Sequence, residues 1–339
     1  MKKNSIFDGK SVLITGGTGS FGQAFIRKMM EEYNLKKLIV YSRDEYKQYE
    51  LNKKYNIKNY PPIRYFLGDV RDEKRLERAL SDVDIVIHAA ALKQVPAAEY
   101  NPDEFIKTNI GGAQNVISAA LNTNVKAVVA LSTDKAAAPL NLYGATKLVS
   151  DKLFIAANNI KGNRDLKFSV VRYGNVLGSR GSVIPFFLEK SKTGTIPITD
   201  KDMTRFNMSL DAAVDSVIWS VENCLGGEIL VPKLKSFRLT TLAKAIDSNA
   251  KINIIGLRPG EKLHEEMITS GDSYNTIDIG EYYLILPYTQ LEVNINNYIS
   301  HHKGTLVNPG FNYASNTNNR WISKDEMKTL INQYITHNL

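Results

Sequence analysis

Six short runs of β-branched and apolar residues recur through the first 175 positions, each separated from the next by a longer amphipathic segment. They are SVLITG (11–16), KLIVYS (37–42), RYFLGD (64–69), DIVIHAAA (84–91), AVVALST (127–133) and FSVVRYGN (168–175). A strand that is apolar on both faces needs cover on both sides, which antiparallel half-exposed sheets do not provide. The intervening segments 21–33, 45–55, 73–81, 103–122 and 141–160 have helical length and spacing. The alternation predicts an α/β fold, a doubly wound parallel sheet with helices on both faces.

After residue 175 the rhythm changes. GSRGSVIPFF, TGTIPITDKDMTRF and LRPGEKLHEEM are turn-rich, with one further strand pattern in EILVPK (228–233). Residues 1–178, with 211–233 returning, are expected to form the dinucleotide-binding domain. Residues 179–210 and 234–339 are expected to form a smaller, partly interleaved C-terminal substrate lobe. Its tail reads as a loop, FNYASNTNNRW, followed by a closing helix, SKDEMKTLINQYI.

The first strand runs directly into TGGTGSFG (15–22), with glycines at 16, 19 and 22, and then into a helix. Glycines there permit a tight turn and close backbone approach, and a helix N-terminus suits a pyrophosphate, so the segment reads as a Rossmann-type dinucleotide loop. An NAD site usually closes the second strand with an acidic residue on the ribose. Here the strand ends Tyr41-Ser42-Arg43, with Asp44 only afterwards. Ser42, Arg43 and Lys47 suit a 2′-phosphate, which favours NADP; the alternative is a surface Arg43–Asp44 pair.

Composition narrows the partners. The net charge is +8, which suits anionic small molecules, but the basic residues are scattered and no nucleic-acid motif is present. One cysteine, Cys224, excludes an internal disulfide and argues against a thiolate zinc site. His88 in a strand-end motif and His264 in a helical pattern lack partner ligands, so no metal is expected. No apolar run matches a signal peptide or membrane span, and a cytoplasmic location is expected.

Tyr143 and Lys147 lie four apart in LYGATK at a helix start and so share a face. A neighbouring ammonium favours a tyrosinate and would make Tyr143 a usable base. Alone, Y-x-x-x-K is common. Together with the glycine loop, HAAA (88–91) and TN (108–109), it resembles the extended short-chain dehydrogenases/reductases.

Within that superfamily, Thr133-Asp134-Lys135 stands where the dTDP-glucose 4,6-dehydratases carry Thr-Asp-Glu, with a shorter loop before the tyrosine. ALKQVPAAEYNP, RYGNVLGSRGSVIPFF, MTRF and GLRPGEKLHE resemble the inverting UDP-N-acetylglucosamine 4,6-dehydratases of pseudaminic acid biosynthesis. Related capsule-pathway enzymes place methionine where this chain has Tyr143, which points to the flagellin-sugar branch.

The resemblance implies roles. Tyr143, supported by Thr133 and Lys147, would take the C4 hydroxyl proton. Lys135, if neutral, would take the C5 proton, and Asp134, if protonated, would give one to the departing C6 hydroxyl. Cofactor contacts fall on Gly16, Thr18, Gly19, Ser20, Phe21, Gly22, Ser42, Arg43, Lys47, Asp69, Val70, Ala89, Ala91, Lys93, Thr108, Tyr143 and Lys147. Substrate contacts fall on Lys93, Tyr173, Asn175, Arg180, Ser182, Thr204, Arg205, Arg258 and Glu261, with the arginines either clamping the diphosphate or only bracing the lobe. The substrate would be UDP-N-acetylglucosamine, and a homo-oligomer is implied. A UDP-hexose 4-epimerase, a C5-retaining dehydratase and an NADP-binding scaffold are the competing expectations.

Overall fold

A computed structural model describes residues 5–176, 183–287 and 295–338. The six expected strands form β1 (Ser11–Thr15), β2 (Lys37–Ser42), β3 (Ile63–Leu67), β4 (Ile85–His88), β5 (Ala127–Thr133) and β6 (Lys167–Tyr173). They pair in parallel in the order β3-β2-β1-β4-β5-β6. Their alternating side chains feed two separate cores. Leu13, Ile39, Val86, Val128 and Val170 pack on one face, and Val12, Ile14, Val40, Ile87, Val129 and Val171 on the other. That two-sided burial is why the runs read as unbroken apolar sequence.

The sheet does not end at β6. Ile229–Pro232 adds a parallel strand, and Tyr282–Ile285, Thr276–Asp278 and Thr305–Leu306 then extend it antiparallel to ten strands. Residues 276–285 and 305–306 thus add to the large sheet rather than to the second lobe, where the sequence reading put them. These strands are only two to four residues long, too short for periodicity to reveal.

The helices are α1 (Ser20–Glu32), α2 (Glu45–Lys54), α3 (Glu73–Leu80), α4 (Val95–Tyr100), α5 (Pro102–Phe105), α6 (Gly112–Leu121) and α7 (Leu142–Ile160). The single helix expected over 103–122 is therefore divided. Between α5 and α6, Ile106–Gly111 winds as a π-helix, a form that often marks functional positions. Asn109 in that turn is buried and fastens three elements. It exchanges hydrogen bonds of 2.9 Å with the backbone N–H and carbonyl of Leu92, and it donates to Thr146 Oγ1 on α7 at 3.0 Å. The fourth expected strand also stops early, at His88, because Thr15 Oγ1 captures the Ala89 and Ala90 amides at 3.1 and 3.2 Å. The chain is thereby turned out of the sheet at its carboxyl edge.

A smaller lobe stands over that edge. Its strands Lys235–Arg238, Thr204–Met208 and Asn175–Val176 form one sheet, and Thr195–Ile198 pairs with Lys251–Ile254. Helices Val183–Ser191, Leu239–Ile246 and Lys324–Asn338 enclose a third core containing Ile184, Phe187, Ile198, Phe237, Leu242, Met327 and Ile331.

Candidate active site

A cavity of about 900 Å³ lies between the carboxyl ends of the parallel strands and the second lobe, where ligands bind in doubly wound sheets. Gly16, Thr18, Gly19, Ser20, Phe21 and Gly22 line one end. A Cβ at Gly22 would stand 2.3 Å from the Gly17 carbonyl oxygen, so the loop can turn onto α1 only with glycine there. Gly19 caps α1 without a side-chain hydrogen bond, and the first turn holds no acidic residue. The amide-rich, partially positive helix end is left open to an anion. Val70, Ala89, Ala91 and Thr108 line the same space, and Thr108 Oγ1 is buried with no protein partner. A loop, an uncapped helix end and an orphaned hydroxyl fit a dinucleotide.

The far end of this groove bears on the NADP question. Ser42 is buried and accepts from Gln48 Nε2 at 3.0 Å, while Arg43 stays 55% exposed. Arg43 lies 3.8 Å from Asp69 rather than against Asp44, which instead pairs with Lys47 at 2.6 Å. The surface Arg43–Asp44 pair is thus absent. Asp69 is held mainly by Arg71, whose hydrogen bonds keep its carboxyl below the usual range against the opposing effect of burial.

Deeper in, the candidate reacting groups converge. β5 ends in Thr133, and Asp134–Ala136 forms one 3-10 turn against the start of α7. Asn141 caps α7 through the Gly144 amide at 2.8 Å. At Gly144 a Cβ would meet the Lys135 carbonyl oxygen at 2.2 Å, so glycine lets the helix press onto this turn. Tyr143 and Lys147 consequently line the cavity with Thr133, Asp134 and Lys135. Thr133 Oγ1 donates to Asp134 Oδ1 at 3.0 Å, and Lys135 Nζ donates to the same oxygen at 3.0 Å.

Two expectations about charge are corrected here. Lys135 is not placed to be neutral. Burial disfavours its ammonium, but Asp134 and a second carboxylate, Glu265 at 3.2 Å, outweigh that and raise its pKa further. Tyr143 is not lowered by Lys147. Burial pushes it up to about 12, opposed chiefly by Lys135 and a hydrogen bond to Thr133. Lys147 is itself lowered by burial, with Asp151 one turn further along the helix opposing. Burial raises the Asp134 carboxyl above the ordinary range despite Lys135, the direction that a proton donor requires.

The substrate candidates divide. Lys93, Tyr173, Asn175, Arg258 and Glu261 line the cavity. Lys93 is lowered by burial, Tyr173 is raised by burial and by Tyr143, and Arg258 pairs with Glu261 at 2.5 Å. Thr204 is 1% exposed and does not line the cavity; its hydroxyl bonds His264 Nδ1 at 2.8 Å and Ser315 Oγ at 2.6 Å. Arg205 lines the cavity, but its guanidinium is engaged by the carbonyls of Thr204, Lys262 and Leu263 and lies 3.6 Å from Glu265. The bracing alternative describes it. Arg180 and Ser182 lie outside the described residues. His88 bonds Thr15 Oγ1 at 2.9 Å, and burial lowers it to about 3, which keeps it neutral.

Two groups escaped the sequence reading. Glu265 belongs to the quoted LHEE stretch, yet nothing local marks it, because Lys135 and Arg205 lie 130 and 60 positions away. Asp151 continues the Tyr143–Lys147 spacing by one more turn and was findable. It accepts from Ser132 Oγ at 2.7 Å and from Arg172 at 3.3 Å, which ties the catalytic turn, α7 and β6 together.

The chain is similar to known proteins along most of its length. The family described as polysaccharide biosynthesis protein matches residues 12–287. A UDP-N-acetylglucosamine 4,6-dehydratase (inverting) of Campylobacter jejuni subsp. jejuni serotype O:23/36 (strain 81-176) is 53% identical over 332 residues, spanning 96% of this chain and 98% of that relative. A UDP-glucose 4-epimerase of Rickettsia canadensis (strain McKiel) is 40% identical, with 96% of each chain covered. Among solved structures, Pen from Bacillus thuringiensis matches with a TM-score of 0.86 at 37% identity, over 97% of this chain and 98% of that one.

Proposed function

The chain belongs to the polysaccharide biosynthesis protein family, and we infer that, like its inverting dehydratase relatives, it is a hydro-lyase acting on UDP-N-acetylglucosamine. The product is the 4-keto-6-deoxy sugar with C5 inverted, UDP-2-acetamido-2,6-dideoxy-β-L-arabino-hex-4-ulose. The observation that carries this reading is the meeting of Thr133, Asp134, Lys135, Tyr143 and Lys147 in one cavity with an open dinucleotide loop. A dehydratase needs an acid–base pair beyond the tyrosine, which an epimerase does not, and Asp134 with Lys135 supplies one.

A bound nicotinamide supplies a hydride acceptor for C4 and the hydride returned to C6. The protein's own part is proton management. Tyr143, once its own phenol proton has left to solvent with the help of the cationic Lys135, takes the C4 hydroxyl proton as the ketone forms. The ketone acidifies the C5 proton. Lys135 becomes a base for C5 only after releasing its own proton to solvent. Asp134, buried and protonated, donates to the departing C6 hydroxyl so that water leaves.

Incubation with UDP-N-acetylglucosamine in deuterium oxide, followed by proton NMR, tests this. The expected result is a 6-deoxy methyl signal, deuterium at C5 and L-arabino stereochemistry. A C4 epimer that keeps its C6 hydroxyl would favour the epimerase, and a product with C5 unchanged would favour the retaining dehydratase. No product with NADP⁺ supplied would leave only a cofactor-binding scaffold.

We propose NADP as the cofactor, supported by the exposed Arg43 and by Ser42, rather than an acidic residue, as the last residue of β2. Arg43→Ala is expected to weaken NADP⁺ binding about tenfold, the loss of one charge-assisted hydrogen bond to phosphate. NAD⁺ binding should be unchanged, and calorimetry with both dinucleotides checks it. An equal loss for the two would place Arg43 outside the 2′-phosphate site. A role in supplying pseudaminic acid for flagellin or surface glycans, and a homo-oligomeric state, belong to the same proposal. Among the described residues no helix is long and apolar enough to cross a membrane.

A further inference from the structure

Glu265 is 2% exposed, and its backbone is pinned to Ser315 by hydrogen bonds of 3.0 and 2.8 Å. Its Oε1 faces two cations, Lys135 Nζ at 3.2 Å and Arg205 Nε at 3.6 Å. Arg205 cannot turn away, because its other nitrogens are spent on three backbone carbonyls. Asp134 is 1% exposed, and among the described residues Lys135 is its ion-pair partner, at 3.0 Å. Each carboxyl keeps one buried oxygen without a partner, Asp134 Oδ2 and Glu265 Oε2. Such an oxygen is tolerated more easily as O–H than as half of a carboxylate.

Two carboxyls therefore compete across one shared lysine, and the second cation stands on the side of Glu265. Two like charges in so small a buried space disfavour each other's ionisation. We propose that Glu265 is a positioning residue that sets the proton inventory of the site: its carboxylate, fixed by Lys135 and Arg205, keeps the proton on Asp134. The inference rests on the dehydratase reading for its consequence, because only there must Asp134 deliver a proton to a leaving hydroxyl. The other charged or titratable groups acting on Asp134 are Tyr143 and Lys262, and Thr133 is its neutral donor. Burial and the Glu265 charge raise Asp134, while Lys135 and Arg205 lower Glu265 despite its burial.

Asp134 can donate only while protonated, so turnover falls as pH rises through its folded pKa. Glu265→Gln keeps the shape, removes the negative neighbour and frees Lys135 to pair with Asp134 alone. Both changes favour the ionised aspartate, so the alkaline limb of kcat should move to lower pH by about one unit or more. A merely structural glutamate would lower stability without moving that limb.

Infrared difference titration reads the proton directly. The protonated-carboxyl stretch of Asp134, identified by its loss in Asp134→Asn, is expected at pH 7 in the parent protein. In the Glu265→Gln background its midpoint should lie about one unit or more lower. No Asp134 band at pH 7, or an unmoved midpoint, overturns the inference. If Glu265→Gln does not fold, the parent band decides: its presence at pH 7 upholds a protonated Asp134, and its absence overturns the proposal. A parent protein that shows the band and its shift yet forms no 6-deoxy product would refute the dehydratase reading and leave the coupling standing. Normal turnover with an unmoved band does the reverse.

Discussion

Tyr143→Phe is expected to lower kcat on UDP-N-acetylglucosamine by about 10²- to 10⁴-fold, the usual worth of a positioned proton acceptor. The ring lies at the start of α7, and the cap formed by Asn141 and the close approach of Gly144 to Lys135 do not involve its hydroxyl. The fold and the dinucleotide groove should therefore survive. KM should change little, because the lost interaction belongs to the oxidation step. Burial holds the phenol near 12, and Lys135 is the cation that most opposes this. Lys135→Ala should for that reason also weaken Tyr143 as a base, besides abolishing C5 deuterium exchange. Steady-state kinetics together with dinucleotide binding check the set. Full activity in Tyr143→Phe would remove the tyrosine from the chemistry.

Arg172→Ala should be the most damaging single change to stability. Arg172 and Asp151 have side chains only 3% and 2% exposed, and Arg172 also donates to the Met267 carbonyl at 2.9 Å. Truncating the arginine strands a buried carboxylate, which costs about 3–5 kcal/mol. Asp151 can relieve part of this by taking a proton, since burial already raises its carboxyl against the pull of Arg172. The loss should therefore be smaller at acidic pH, where that proton costs less, and grow as pH rises. Chemical denaturation at two pH values measures both the loss and its direction. A change within about 0.5 kcal/mol, the size expected of an ordinary surface substitution, would show that the pair does not support β6 and α7.

The elements that govern the sheet were legible in advance because their signals are local. A strand covered on both faces must be apolar at every position, so β1, β2 and β5 stand out as runs. The glycine loop announces itself through steric need, as the 2.3 Å approach at Gly22 shows. Tyr143 and Lys147 could be paired from sequence because four residues along a helix return to one face. The π-helix at Ile106–Gly111 could not be read this way, because its residues keep a helical pattern and only the hydrogen-bond partner shifts.

The site's chemistry depended on contacts that sequence spacing does not encode. Thr204 read as a cavity residue and Arg205 as either a diphosphate clamp or a brace, and the fold turns Thr204 towards His264 and Ser315 and engages Arg205 with three carbonyls. Lys135 read as a base on the condition that it is neutral. In three dimensions Asp134 and, from 130 positions away, Glu265 stand beside it and together favour its charged form. The sequence by itself determined the parallel sheet, the dinucleotide loop and the residues offered to the cavity, since those follow from periodicity and steric exclusion along the chain. Only the tertiary structure decided which of them are free and which of them carbonyls or carboxyls engage, because desolvation and Coulomb energies depend on distance through space.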